Sequence, residues 1–293
     1  MLSIVILTHN SISFIDACLA SVFSQRNKAL EVIVVDNASC DGTTDLVKER
    51  YPRAMLIENR NNIGAAAARN QGIALSRGEW VCMLDCDTVL GEGFINRALC
   101  SIGSFSDRVG MIQPKILDSR GRKIYSCGIR LSSLRRFYDI GRGEHDNGQY
   151  DRAGHVFGAC SAAALYKREM LEDIKEESGY FDERFFFLAE DVDLAWRARN
   201  KGWSCQFLNQ LICCHRGNSS ETGKRERRYL CLRNRYYLII KNDTRTGFYK
   251  ALFFFPLYDL PRLLFLLPIP DTIKAALEIS AFCRLRRDEK AHV

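Results

Sequence analysis

The sequence predicts an α/β protein built on a mostly parallel sheet. Short apolar runs beginning at Leu2, Glu31, Ala54 and Trp80 alternate with segments of helical apolar spacing within the first 87 residues. Such alternation implies parallel strands joined by right-handed crossovers, with helices on the sheet faces. The polar residues Thr8, His9, Asp36, Asn37, Asp85 and Asp87 fall where those runs end. In a parallel sheet these ends share one edge, where such folds hold ligands.

Leu2 to Leu7 is the first strand, followed by the polar turn Thr8-His9-Asn10-Ser11. Ile12, Ile15, Leu19, Val22 and Phe23 then recur at helical spacing. Glu31 to Val35 is the second strand, closed by Asp36-Asn37-Ala38-Ser39, and Asp41 is placed to cap the helix carrying Leu46 and Val47. Ala54 to Ile57 is a third strand. Asn61-Asn62-Ile63-Gly64 is a turn, and the alanine-rich segment from Gly64 to Leu75 is a helix that Gly78 stops. Trp80 to Leu84 is the fourth strand, and it ends in Asp85-Cys86-Asp87.

The second half is less regular. Phe94 to Leu99 reads as a helix and Val109 to Ile112 as a strand. Residues 118–154, rich in Gly, Arg and Asp, show little periodicity, and a loop that long inside a domain is usually functional or mobile. The small-residue run Gly158 to Ala164 suits close approach of another group. Phe185-Phe186-Phe187 leads to Glu190-Asp191-Val192-Asp193 and to a helix ending near Gly202. Trp203 to Leu208 is a last strand, with His215 after it.

Composition narrows the class. With 293 residues, 47% hydrophobic and 26% charged, the chain has an ample core. A net charge of +7 favours anionic partners without naming one, and no nucleic-acid partner is expected. The 12 cysteines sit mostly in apolar or small-residue contexts, and Cys213-Cys214 lacks zinc-ligand spacing, so a reducing cytoplasm is expected. Met1-Leu2-Ser3-Ile4 enters a strand at once, without a basic leader region.

From about Tyr229 the composition shifts. Residues 248–270 are strongly apolar but interrupted by Lys250, Pro256, Asp259, Pro261 and Arg262, too broken for a spanning helix. An interfacial helix pair is expected over residues 247–287, with Lys250, Arg262, Lys274 and Arg284-Leu285-Arg286-Arg287 near anionic lipid. A buried helical hairpin and a dimer surface are the alternatives. The expected division is residues 1–226, split into a nucleotide half (1–115) and an acceptor half (116–226), followed by C-terminal helices (227–293).

The chemistry starts at Asp85 and Asp87. Residues two apart share one face of a strand, so both carboxylates can turn toward one hard divalent cation, which in turn can hold a diphosphate. The plainer alternative is a turn or cap pair. Asp36 can accept hydrogen bonds from a nucleobase or ribose, or it caps its own loop. Arg69 can face a diphosphate or base, or it is a solvated helix charge. Glu190-Asp191-Val192-Asp193 holds more acid than a helix cap needs, and one carboxylate there can serve as a general base. His215 alone is structural; beside a metal held by Asp87 it becomes a ligand.

Ser3-Ile4-Val5-Ile6-Leu7-Thr8, Val34-Val35-Asp36-Asn37-Ala38-Ser39-Cys40-Asp41-Gly42-Thr43, Asn61-Asn62-Ile63-Gly64 and Leu84-Asp85-Cys86-Asp87 together resemble the family 2 inverting glycosyltransferases. Phe181-Asp182-Glu183-Arg184-Phe185-Phe186 with Glu190-Asp191-Val192-Asp193-Leu194 is similar to the rhamnosyltransferase-like branch that builds bacterial surface polysaccharide. The resemblance covers residues 2–217. It implies a GT-A fold, a nucleotide-diphosphate sugar donor (dTDP- or UDP-linked), Mg²⁺ or Mn²⁺, and a glycan or lipid-linked saccharide acceptor.

By that resemblance Thr8, Asn10, Asp36, Asn62, Arg69 and Asp85 line the nucleotide-sugar pocket. Asp87, with Asp85 and His215, holds the metal, and Asp191, or failing it Glu190, is the base. Cys86, Ala66 and Ala189 depart from the residues common at their positions, but no carboxylate is lost. The expected location is cytoplasmic, peripheral on the inner face of the membrane. A nucleotidyltransferase and a non-catalytic membrane-docked binding protein are the rival readings. The first would usually show a glycine-rich phosphate loop after the first strand, which Thr8-His9-Asn10-Ser11 is not.

Overall fold

The computed structural model describes residues 1–25, 30–152, 154–217, 222–266 and 268–291. Its first half follows the alternation of the sequence: β1 (Leu2–Thr8), α1 (Ile15–Phe23), β2 (Leu30–Asp36), α2 (Thr43–Arg50), β3 (Met55–Glu58), α3 (Ala65–Leu75) and β4 (Trp80–Asp85). Strand β1 pairs in parallel with β2 on one side and β4 on the other, and β2 with β3. Thr8 lies opposite Asp36 and Leu7 opposite Asp85, so these strands end together.

Both faces of this sheet are buried, which is why its strands read as continuous apolar runs. Alternate residues feed two cores. Ile4, Ile6, Cys82, Leu84 and Cys86 pack on the face covered by Ile15, Leu19 and Val22 of α1. Val5, Val35, Val81 and Met83 pack on the other, against Ala66, Ala68 and Ile73 of α3. Helix α3 lies close to the sheet: a Cβ on Gly72 would stand 2.2 Å from a Val5 methyl. The same alternation accounts for Cys86. It points into the α1-side core, 8% exposed, with its thiol 3.0 Å from the Ser11 hydroxyl.

The second half comprises β5 (Thr88–Leu90), α4 (Phe94–Ile102), β6 (Val109–Asp118), β7 (Ile124–Ser126), β8 (Ile129–Leu131), β9 (Phe137–Asp139), β10 (His155–Val156), β11 (Ala163–Lys167), α5 (Arg168–Ile174), α6 (Glu190–Asn200) and β12 (Ser204–His215). The main sheet runs β10-β12-β6-β11-β4-β1-β2-β3, with β5 on β12 and β7 on β6. Strand β11 enters antiparallel to β4 and β6.

Several expectations are corrected here. Strand β6 continues past Ile112 to Asp118. Pro114, which suggests a break, falls between the stretch paired with β11 at Met111 and Ile112 and the stretch paired with β7 at Ile116 and Leu117. The segment 118–154 contains β7, β8 and β9, each three residues long, too short to show a period of two. Strand β12 likewise extends beyond Leu208 to His215, which it aligns with Thr88 of β5.

Three helices close the described chain: α7 (Lys224–Asn242), α8 (Arg245–Leu266) and α9 (Ile269–Ala291). The expected boundary at residue 227 falls inside α7. That helix is tied to the second half of the chain by Lys241, 7% exposed, whose ammonium lies 2.6 Å from Asp182 and 2.9 Å from Asp193. Helix α9 packs on α7 through Phe282, stacked on Tyr237 at 4.0 Å between ring centres. In α8, buried Asp259 takes hydrogen bonds from Arg235 and, at 2.8 Å, from Tyr236. Tyr249, Phe253 and Leu257 of α8 and Ile273, Leu277 and Leu285 of α9 are exposed. Among the described residues, no helix is long and apolar enough to cross a membrane. The side chains of Arg262 and Arg287 lie outside the described residues.

Candidate active site

The ends of β1, β2 and β4 form the floor of a cleft of about 400 Å³. Thr8, Asn62, Arg69, Asp85 and Asp87 line it, with Asn37, Phe186 and Phe187. Asp36 and Asn10 are not among the lining residues. The Asp36 carboxylate is 1% exposed and accepts from the Ser39 hydroxyl at 2.5 Å and the Ser39 amide at 2.9 Å. Asn10 accepts from the Cys40 amide at 2.9 Å. Both thus brace the loop beside the cleft. Asn37 braces its rim, donating to the Asn62 side chain at 2.8 Å and accepting from the Ile63 amide at 3.1 Å.

The β5–β12 pairing brings His215 to the two aspartates. Its Nε2 lies 2.9 Å from Asp87 Oδ1 and 3.7 Å from Asp85 Oδ2. One ligand atom from each of the three lies within 4.8 Å of the others, the one such grouping of ligating residues among the described residues. Tyr125 sets the imidazole edge-on at 4.3 Å between ring centres. The Gly217 amide donates to Asp87 Oδ2 at 3.0 Å. Burial disfavours the imidazolium, but the hydrogen bond to Asp87 and the charges of Asp85 and Asp87 outweigh it and raise the His215 pKa. Two carboxylates and one imidazole around a common point are a donor set that suits a divalent cation.

A second cleft of about 310 Å³ adjoins the first, and Arg69, Asp85 and Phe187 line both. Glu190 and Asp191, at the start of α6, line only the second, with Tyr125, Asp139, Arg142 and Ser161. The two acids have different surroundings. Glu190, 4% exposed, is bound by the Arg69 guanidinium, whose other arm reaches Asp85 at 2.9 Å. Asp191 accepts from the Ser161 amide at 3.2 Å and from the Val192 amide at 2.8 Å. Burial, and then the neighbouring Glu190 charge, push its pKa up to about 7. A carboxylate tuned there can hold or release a proton near neutrality.

Arg69 therefore differs from a solvated helix charge. It is 5% exposed and spends both arms linking Asp85 to Glu190 of α6. Its neighbour Asn70 exchanges hydrogen bonds with the Phe181 backbone, both at 2.8 Å, fixing α3 to the segment before α6. Sequence reasoning missed Asn70 and did not single out Phe186 as a cleft residue, while Asn37 was in the strand-end cluster it named. The Asn61-to-Gly64 turn was the available signal for Phe186. Gly64 has φ +85°, and a Cβ there would stand 2.5 Å from the Phe186 ring.

The family model described as "Glycosyl transferase family 2" matches residues 3–175. The chain is 26% identical over 280 residues to the N-acetylglucosaminyl-diphospho-decaprenol L-rhamnosyltransferase of Mycobacterium tuberculosis strain H37Rv, a match covering 86% of this chain and 87% of that protein. Among solved structures it resembles S. aureus TarS 1–349 in complex with UDP-GlcNAc, with TM-score 0.62 and 18% identity over 96% of this chain and 81% of that one. It also resembles the mannosyltransferase PcManGT from Pyrobaculum calidifontis in complex with GDP-Man and Mn²⁺, with TM-score 0.60 and 19% identity over 99% and 79%.

Proposed function

The chain belongs to glycosyl transferase family 2 and has the GT-A fold, and from that premise we propose an inverting, metal-assisted transfer of a hexose to a hydroxyl of a surface-polysaccharide precursor. Rhamnose or a related sugar on dTDP or UDP is the proposed donor. A lipid-linked glycan is the proposed acceptor, by analogy with the mycobacterial relative's name. The observation that carries the reading is the pair of clefts meeting at Arg69 and Asp85, one lined by Asp85 and Asp87, the other by Asp191 and by His215, the third member of the donor set.

A cation bound by Asp85, Asp87 and His215 would neutralise the departing diphosphate. Asn37, Asn62 and Phe186 orient the nucleotide in the first cleft. In the second, ionised Asp191 takes the proton of an acceptor hydroxyl, whose oxygen attacks the anomeric carbon opposite the diphosphate, so the configuration inverts. Glu190 is the weaker candidate because Arg69 already neutralises it. His215 must shed its proton to bind a metal, so cation affinity falls as pH is lowered. The test is incubation with dTDP- and UDP-sugars and Mn²⁺, following nucleoside-diphosphate release. Asp87→Ala abolishes its metal dependence. Nucleotide affinity that is the same with and without Mn²⁺ in the unaltered protein overturns the metal role.

The proposed second partner is an anionic membrane surface at residues 247–287, on the inner face of the membrane. Tyr249, Phe253 and Leu257 recur every four residues along one stripe of α8, and Ile273 and Leu277 do so on α9, with exposed Lys250 and Lys274 beside them. Co-sedimentation with vesicles containing phosphatidylglycerol should be lost in Phe253→Glu/Leu277→Glu. Equal sedimentation of that variant refutes the contact.

A further inference from the structure

The backbone just before the base takes a costly path. Phe186, Leu188 and Ala189 have φ of 63°, 68° and 69°, and none is glycine. Such conformations cost on the order of 1–3 kcal/mol each and persist only where the surroundings impose them. Helix α6 starts at the next residue, with Asp191 in its first turn. The same loop turns Phe186 and Phe187 toward the first cleft, and Leu188 and Ala189 toward the second. Its path therefore sets both the wall of one cleft and the place of the acid in the other.

The loop carbonyls are held from two sides. Phe186 O accepts from the Ala65 amide at 2.7 Å, at the start of α3. The others converge on one atom of α7. Asn234 Nδ2 lies 3.2 Å from Phe185 O, 2.9 Å from Phe187 O and 2.6 Å from Leu188 O. Asn234 is 0% exposed. Its Oδ1 accepts from Arg233 Nε at 2.9 Å, and Arg233 Nη2 donates to Phe185 O at 2.9 Å. An amide –NH₂ carries two protons, so these three carbonyls share the two donors of Asn234. Helix α7 lies outside the stretch matched by the family model, residues 3–175.

We propose that Asn234 is a positioning residue for glycosyl transfer: it holds the Phe186–Ala189 loop in its left-handed path and thereby places Asp191 against the second cleft. This rests on the function proposed above. Asn234→Asp keeps the volume but replaces the shared donor with an acceptor facing three carbonyls. Asn234→Ala removes it and takes its donor from the Phe187 and Leu188 carbonyls, while Phe185 O keeps Arg233. Asn234 lines neither cleft, so the effect is one of geometry, and a displacement of about 1 Å from reacting atoms costs up to 10²-fold in rate.

The experiment measures kcat, both KM values, the pH profile and Mn²⁺-nucleotide affinity for the full chain and for Asn234→Asp, Asn234→Ala and Asn234→Ser, with Asp191→Asn as a control. Expected is a 10- to 100-fold fall in kcat per nucleotide-binding site, donor KM and nucleotide affinity within about threefold, and an acidic limb of the pH profile displaced from that of the unaltered protein. Ser, which keeps one donor, should recover part of the loss. A residue that only supports the fold would lower the yield of binding sites while kcat per site and the pH limb stayed put, and that result overturns the proposal. So does failure of all three variants to fold. If the unaltered protein transfers no sugar, the proposed function falls instead; if it does, and Asp191→Asn is inactive while Asn234→Asp is not, only the role of Asn234 falls.

Discussion

Replacing Arg69 by methionine removes a buried cation from between two acids and keeps most of the side-chain volume. Arg69 is 5% exposed and Glu190 4%, so the carboxylate left behind is poorly placed for water to replace the guanidinium. Breaking a buried pair from one side costs about 3–5 kcal/mol. The Asp85 side chain is 29% exposed and adds little to that. At about 2.1 cal/mol/K of unfolding entropy per residue, a chain of 293 residues loses about 1 °C of melting temperature for each 0.6 kcal/mol. The variant should therefore melt about 5–8 °C lower in a calorimetric scan at pH 8. Arg69 also lowers the Asp191 pKa, so the acidic limb of any residual activity should move to higher pH. Adding Glu190→Gln removes the stranded charge and should recover more than half of the lost melting temperature. A shift below about 1 °C in the single variant, or strict additivity in the double variant, refutes the bridge as a buried electrostatic link.

Two further outcomes follow from the same geometry. Gly64→Ala puts a Cβ 2.5 Å from the Phe186 ring at φ +85°, which should destabilise the fold by roughly 1–3 kcal/mol in urea unfolding and weaken nucleotide binding; a neutral effect on both would show that the turn and the loop are not in contact. As the proposed base Asp191 acts ionised, and burial and Glu190 raise its pKa to about 7, so kcat should rise with pH through about 7 and be lost below it; a limb at the ordinary carboxylate position near 4 would refute the tuned environment.

The first half of the fold was legible because burial on both faces makes each strand an uninterrupted apolar run, and four such runs with helices between them permit few topologies. Asp85 and Asp87 were legible for the same reason: they end a strand whose neighbours end beside them. His215 was found as a residue, but its approach to Asp87 depends on β5, three residues long, which no periodicity can reveal. Arg69 could equally have been a solvated charge, since a helix surface charge and a buried one look alike until the facing segment is known. Phe186 and Asn70 act through loop backbone, and loops carry no period. Asn234 sits in a helix rich in Arg and Tyr, where one asparagine has no local mark. The site is written in contacts between segments about a hundred residues apart, and single-sequence patterns report only neighbours.

The central claim is that Asp191 removes the acceptor proton while the Asp85, Asp87 and His215 group serves the departing diphosphate. The most direct measurement is single-turnover sugar transfer by Asp191→Asn, with Mn²⁺-dependent nucleotide affinity measured on the same preparation. A fall in transfer of on the order of 10²–10⁴-fold with nucleotide affinity unchanged is the predicted result. Transfer within a few-fold of the unaltered protein, at full nucleotide binding, would contradict it.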